Sequence, residues 1–124
     1  EDDAGFDLTT TETLVLKPLE RALAPTGVAV QIQKNRAGMI CPRSGLAVKQ
    51  GITVLNAPGI IDSGFTGEIK VSLINLSNET VTLGEGTRIA QLVIVPLAYV
   101  ALKEVKKLDK SDRGSSGFGS TGMV

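Results

Sequence analysis

Short runs of β-branched and aliphatic residues recur along this chain, separated by turn-forming Gly, Pro and Asn. The clearest run is Glu68–Leu76, in which apolar and polar residues alternate as they do on a half-buried strand. The other predicted strands are Thr13–Leu16, Gly27–Ile32, Ala37–Cys41, Ile52–Leu55, Glu79–Leu83, Arg88–Val95 and Val100–Val105. Helix is predicted only for one or two turns at Ser44–Lys49. This pattern predicts an all-β sandwich or barrel.

The composition fits strands packed on strands in one domain. The chain has 124 residues, and its aromatic content is three Phe, one Tyr and no Trp. A β-branched core with few aromatic rings suits sheet packing. A chain of this size exposes much of its surface, so a subunit interface is a favourable place for the excess aliphatic residues.

The charge balance excludes several classes of partner and of chemistry. Thirteen basic and thirteen acidic residues leave no net field to recruit nucleic acid or a membrane. The absence of histidine excludes Ser-His-Asp catalysis and His-ligated metals. The lone Cys41 is expected to be a buried structural residue in a reducing cytoplasm. No apolar run reaches the roughly 18 residues of a membrane span, and the acidic start is not a signal peptide.

The densest group of polar and turn residues lies between Asn56 and Phe65. Pro58-Gly59 predicts a tight reversal, and the Asn56 amide offers the donor and the acceptor that the edge of a base requires. Without histidine, Asp62 is the best-placed general base for activating water. The alternative is a hairpin in which Asp62 caps its own turn.

Other polar residues suit an anionic ligand. Arg43-Ser44-Gly45 at a helix start fits phosphate oxygens, although an exposed turn is the simpler interpretation. Asp7 and Gln91 lie in apolar surroundings, where each needs a hydrogen-bonding partner if buried. Further cations that could neutralise charge are Lys49, Lys70, Arg88 and Arg113. Because no Walker-type loop and no Cys/His metal spacing is present, a bound metal is expected to be a hard cation such as Mg²⁺, held by the phosphates of a substrate.

The last residues form a separate segment. Residues 113–124 are rich in Gly and Ser, which is typical of a flexible linker, and the β domain is therefore expected to span residues 1–112. The alternative is a tail that a ligand orders, with Arg113 on a phosphate and Phe118 on a ring.

Five of these segments, in this order and spacing, resemble the motifs of the trimeric dUTP pyrophosphatases (dUTPases). They are AGFDL (residues 4–8), PRSGLAVKQGI (42–52), NAPGIIDSGFTGEIKVSLIN (56–75), RIAQLVI (88–94) and RGSSGFGSTG (113–122). The resemblance implies a jelly-roll, or distorted β-barrel, protomer in a homotrimer whose three active sites are each built from several subunits. It also implies Mg²⁺-assisted hydrolysis of dUTP to dUMP and pyrophosphate, without nucleic-acid or membrane partners.

The resemblance also assigns roles. Asp62 is similar to the carboxylate that orients water towards the α-phosphorus, and Phe65 to the aromatic under the deoxyribose that leaves no space for a 2′-hydroxyl. The residues that resemble uracil and nucleoside contacts are Asn56, Gly59, Ile60, Ile61 and Lys70. Those that resemble phosphate contacts are Arg43, Ser44, Gly45 and Gln91. Arg113 and Phe118 are expected to close over the γ-phosphate and the uracil, and Asp7 to organise the site.

Three departures from the family pattern stand out. Phe65 is usually Tyr, so one hydroxyl contact is lost, and Ile60 stands where Thr is frequent. The family's first strand is expected before Ala4, and its absence is expected to affect trimer packing or stability.

Two rivals remain. The related dCTP deaminases place a catalytic Glu five residues beyond the glycine that matches Gly67, where this chain has Ser72. A non-enzymatic module of the same fold is the other, although every motif residue needed for hydrolysis is present.

Overall fold

The computed structural model describes residues 2–119, 121 and 122. Within these residues the chain forms nine strands and one short helix. These are β1 (Phe6–Thr9), β2 (Leu14–Leu16), β3 (Arg21–Ala29), β4 (Arg36–Cys41), α1 (Ser44–Gln50), β5 (Ile52–Val54), β6 (Gly59–Ile61), β7 (Glu68–Asn75), β8 (Val81–Leu83) and β9 (Arg88–Pro96). The prediction of an all-β protein is confirmed. No helix in this part of the chain is long and apolar enough to cross a membrane.

Antiparallel pairing arranges the strands in three sheets. One sheet has the order β1-β9-β4-β6, a second has β3-β7-β5, and β2 pairs with β8. Side chains of all three sheets form one core, because alternate residues of each strand face inward. On β7 the inward residues are Ile69, Val71, Leu73 and Asn75, each at most 1% exposed.

Helix α1 connects β4 of one sheet to β5 of another, and it begins at Ser44 as predicted. It ends at Gly51, whose φ of 69° is the left-handed conformation that favours glycine. A β-carbon on Gly51 would also lie 2.9 Å from the backbone nitrogen of Ser77, so close approach is a second reason for glycine. Pro42 and Arg43 form the loop between the end of β4 and this short helix.

Four sequence-based expectations differ from the structure. The strand predicted at Gly27–Ile32 instead runs from Arg21 to Ala29, because Pro25 and Gly27 mark an irregularity in the pairing with β7 rather than a turn. Strands β1 and β6 were not predicted. The strand predicted at Val100–Val105 is wrong, since that segment has no pairing partner among the described residues. Cys41 is half-buried rather than buried.

The chain leaves the sheets after β9 as an extended arm. From residue 97 to residue 119 it forms neither helix nor strand. Several large apolar side chains of this arm are exposed, among them Leu97, Tyr99, Val100, Leu102 and Leu108. Within one protomer, the apolar side chains of this arm therefore remain unburied.

Candidate active site

The turn at Asn56–Pro58 carries the chain from one sheet to another. Strand β5 before it pairs with β7, whereas β6 after it pairs with β4. The expected hairpin is therefore wrong in one respect, because its two strands do not pair with each other. Both are edge strands of their sheets, so the outer backbone groups of β6 have no strand partner in the described part of the chain. Such free N–H and C=O groups are available to a ligand.

A narrow pocket of about 70 Å³ opens at this junction. It is lined by Ile40, Asn56, Gly59, Ile60, Ile61, Lys70, Val71 and Ser72. The structure thus brings together Asn56, Gly59, Ile60, Ile61 and Lys70, as expected for contacts to the base and nucleoside, whereas Phe65 and Phe118 do not line this pocket. The Asn56 side-chain amide makes no hydrogen bond to any described residue, and a β-carbon on Gly59 would lie only 3.2 Å from its Nδ2. Gly59 therefore lets the backbone of β6 approach the Asn56 side-chain amide, which is free to bind a ligand.

A second, polar cavity of about 350 Å³ lies beside the end of β4. It is lined by the four predicted phosphate contacts, Arg43, Ser44, Gly45 and Gln91, by the predicted organising residue Asp7, and by Asp3, Ala4, Gly5 and Arg88. Strand pairing explains this assembly: Asp7 and Cys41 are both register partners of Gln91 on β9. Three segments far apart in sequence are therefore joined at one residue of β9.

Two arginines flank the Asp7 carboxylate in this cavity. Nη1 of Arg43 lies 2.8 Å from Oδ1 of Asp7, and Nε of Arg88 lies 3.6 Å from Oδ2. The Gln91 amide donates to the Pro42 carbonyl at 3.1 Å, which ties the loop before α1 to β9. Asp7 thus contacts two cationic side chains and is exposed, and its organising role stays a prediction. Two guanidinium groups and two carboxylates, those of Asp3 and Asp7, line the cavity, so its fitness for an anion rests on the geometry of the arginine donors and not on net charge.

Of the lining residues that the expected site lacks, Arg88 and Ser72 bear most directly on its chemistry. The sequence presents Arg88 as one of four cations that could neutralise charge, and its position at the start of the RIAQLVI segment is the signal for a place in the site. Ser72 was used only to exclude a deaminase, yet its side chain lines the narrow pocket. Its signal was the alternation of β7, which places Ser72 and Lys70 on the same face.

Asp62 follows β6 directly and is exposed. Its carboxylate makes no hydrogen bond or ion pair within the described residues, and the turn is closed by the backbone N–H of Phe65 donating to the Asp62 carbonyl at 3.0 Å. The self-capping alternative is therefore wrong for this side chain. Asp62 lines a cavity of about 250 Å³ with Arg36 and Tyr99 among its neighbours, which is distinct from the polar cavity around Asp7.

Among the described residues, Arg113 and Phe118 of the tail make no hydrogen bond or ion pair with the other site residues of the same protomer. Nε of Arg113 donates to the Ser116 carbonyl at 2.6 Å, and Phe118 is fully exposed. Ser120, Met123 and Val124, which belong to the expected closing segment, lie outside the described residues. Whether the tail closes over a ligand stays a prediction.

The donor set of the polar cavity fits a phosphate better than a bare cation. Within the described part of the chain no group of three or more acidic, His or Cys side chains is arranged to hold a metal ion. Arginine and amide donors instead favour phosphate oxygens, which can themselves carry Mg²⁺.

A protein-family model described as dUTPase matches residues 1–122. The chain belongs to the dUTPase family. The family expected from the five motifs is thereby confirmed, and the all-β protomer is the jelly-roll fold of that family.

Individual dUTPases are similar along almost the whole chain. The deoxyuridine 5′-triphosphate nucleotidohydrolase of Clostridium kluyveri is 51% identical over 124 residues, which is all of this chain and 87% of that protein. The dUTPase of Staphylococcus bacteriophage 80alpha, solved with dUPNHPP, has a TM-score of 0.88 at 33% identity and is matched over 98% of this chain and 88% of its own. A variant dUTPase of S. aureus phage phi11, solved with a structural Mg(II) ion, has a TM-score of 0.81 at 29% identity over 89% and 88% of the two chains.

Proposed function

We propose that this chain hydrolyses dUTP to dUMP and pyrophosphate, which limits uracil in DNA and supplies dUMP for dTMP synthesis. The observation that carries the proposal is the narrow pocket between the two larger sheets, lined by Asn56, Gly59–Ile61 and Lys70. Membership of the dUTPase family supports it, as does the name deoxyuridine 5′-triphosphate nucleotidohydrolase of a relative at 51% identity.

Selection of the base is assigned to the edge strand β6 and the Asn56 amide. The free backbone groups of Gly59, Ile60 and Ile61 match the donors and acceptors of a uracil edge, and the Asn56 amide adds one donor and one acceptor. Cytosine reverses donor and acceptor at N3 and at the 4-position, which leaves buried polar groups unpaired and is the costlier mismatch. The narrow pocket leaves little room for the methyl group of thymine.

The chemical step is assigned to Asp62. Its unpaired carboxylate accepts a proton from a water molecule, and the water oxygen forms a bond to the α-phosphorus. The bond between that phosphorus and the oxygen bridging to the β-phosphate breaks, and pyrophosphate leaves. Because the chain has no histidine, the rate depends largely on the positions of water and phosphate. Phe65 lies under the deoxyribose in this scheme.

The phosphates are assigned to the polar cavity. Arg43, Gln91 and the backbone at Ser44 and Gly45 would hold them, and Asp7 would keep Arg43 in place through the 2.8 Å ion pair. Mg²⁺, the proposed cofactor, would neutralise the charge of the triphosphate and would be bound mainly by phosphate oxygens and water. The Mg(II) ion of the phage phi11 dUTPase supports the choice of metal.

We infer a homotrimer with shared sites. Asp62 and the group around Asp7 line different cavities of one protomer, so a single site that uses both needs a second chain. The exposed apolar arm after β9 gives such a partner a surface to bury. In this arrangement, residues 1–112 form the β domain and residues 113–124 form a closing tail. The tail places Arg113 on the γ-phosphate and Phe118 on the uracil. The single free thiol, Cys41, suits a cytoplasmic location.

Pyrophosphate release from dUTP, dCTP and dTTP in the presence of Mg²⁺ tests the proposal. Release from dUTP alone is expected. Formation of a deoxyuridine nucleotide from dCTP would instead indicate a deaminase, and no turnover by a folded oligomer would indicate a binding module. The oligomeric mass in solution tests the shared site, because an active monomer contradicts it.

A further inference from the structure

The far end of the Phe65 ring lies against Gly67, two residues later in the same loop. A β-carbon on Gly67 would lie 2.9 Å from Cζ, 3.1 Å from Cε1 and 3.7 Å from Cε2 of that ring. The first of these distances is shorter than real β-carbon contacts, so only glycine at position 67 permits this ring position. Phe65 itself is partly exposed, with 44% of the residue accessible.

The backbone at Gly67 gives no separate reason for a glycine. Its φ lies outside the left-handed region, unlike that of Gly51 at 69°. An L-residue at position 67 is therefore compatible with the backbone, and β7 begins normally at Glu68. The three atoms nearest to an added β-carbon all belong to the Phe65 ring. An alanine at position 67 would therefore conflict with that ring alone.

We infer that Gly67 is a positioning residue that sets where the Phe65 ring lies and thereby sets discrimination against ribonucleotides. The inference rests on the proposed function, in which this ring lies under the deoxyribose. A partly exposed ring can swing away from an added methyl group at little cost to folding. The sugar then loses the surface that leaves no space for a 2′-hydroxyl, so selectivity is lost while the fold is kept.

Gly67→Ala tests the inference when kcat/KM is measured for dUTP and for UTP. The ratio of the two values is expected to fall roughly tenfold or more, since small misplacements of a substrate-positioning group have effects of this order. The melting temperature is expected to stay unchanged. Gly64→Ala is the matched control: it lies in the same turn, its φ is not left-handed, and no atom lies within 4 Å of its added β-carbon. It should leave the ratio unchanged.

A double-mutant cycle separates an effect through the ring from a general one. Phe65→Leu alone should reduce the selectivity ratio, and adding Gly67→Ala in that background should change it no further. The inference is overturned if adding Gly67→Ala to Phe65→Leu lowers the selectivity ratio by as much as Gly67→Ala lowers it in the wild type. An equal loss of kcat/KM for both substrates in the single Gly67→Ala variant also overturns it.

A measurement without substrate tests the contact itself. The chain has only three Phe, so selectively labelled protein gives a simple aromatic spectrum. A nuclear Overhauser effect between Hζ of Phe65 and Hα of Gly67 is expected in the unliganded protein, and its absence overturns the inference. If the wild type fails to hydrolyse dUTP, the proposed function and the inference both fail; if it prefers dUTP to UTP and Gly67→Ala keeps that preference, only the inference fails.

Discussion

The Asp7 carboxylate receives a hydrogen bond from Arg43 at 2.8 Å, although the two residues are 36 positions apart in the chain. Asp7 lies on strand β1, and Arg43 lies in the loop between β4 and α1. Arg88 at the start of β9 lies 3.6 Å from the other carboxylate oxygen. One carboxylate therefore contacts two guanidinium groups that line the polar cavity.

Asp7→Asn is expected to lower kcat/KM for dUTP about tenfold, because the neutral amide no longer holds Arg43 and Arg88 by charge. The ion pair is partly exposed, so the free energy of unfolding should change by less than about 1 kcal/mol. Steady-state kinetics and thermal unfolding measure the two effects. Glu79→Gln, an exposed acid away from the cavity, is the control. A loss of stability without a loss of activity would make Asp7 a structural residue.

Asp62→Asn is expected to reduce kcat by about 10³-fold while dUTP still binds, since the amide keeps the shape of the side chain but cannot accept the proton of water. Single-turnover kinetics and equilibrium binding of dUTP distinguish the two steps. Asp109→Asn, an exposed carboxylate of the arm, should leave both unchanged. A near-normal kcat would remove Asp62 as the base.

Removal of residues 113–124 is expected to lower kcat/KM at least about tenfold, because the groups proposed to close over the nucleotide are lost. Stability should hardly change, since within the described part of the tail the Arg113 side chain donates to the nearby Ser116 carbonyl and Phe118 is fully exposed. Melting temperature and kcat/KM are compared on the same samples. A melting temperature that falls along with the activity would show a structural tail.

Ser72→Glu is expected to abolish dUTP hydrolysis by filling the narrow pocket of about 70 Å³ that Ser72 lines. Ser72→Ala, which removes only a hydroxyl, is the matched variant and should retain activity. Equilibrium binding of dUTP to both variants, together with turnover, measures the effect. Normal hydrolysis by Ser72→Glu would mean that the base binds elsewhere.

Asn75→Ala is expected to destabilise the protein by about 3 kcal/mol, because it leaves several buried polar groups unpaired. The completely buried Asn75 amide donates to the carbonyls of Leu16 and Glu79 at 2.9 and 2.8 Å, and its oxygen accepts from the Ser77 N–H at 2.9 Å. Denaturant unfolding at fixed protein concentration measures the loss, with exposed Asn78→Ala as control. An effect on kcat without one on stability would contradict this structural role.

The sequence predicted more of the residues than of their arrangement. The alternation of Glu68–Leu76 is a local property of one strand, and the structure has β7 at nearly the same bounds. Local patterning failed at Val100–Val105, where strand-like residues lie on an arm without a pairing partner. It also failed at Arg21–Ala29, where Pro25 and Gly27 look like a turn but lie in an irregular part of one strand.

Asp62 in its turn was chosen from the sequence, and so were the arginine loop and the five residues of the narrow pocket. The sequence alone determined the β class, the identity of these groups and the family, since periodicity and motif spacing are read along the chain. Only the tertiary structure decided that β5 and β6 enter different sheets, that Asp7 joins Arg43 to Arg88, and that Asp62 faces a cavity apart from them. The physical reason is that strand pairing is a long-range choice, made by burial across the sheets rather than by neighbours in sequence.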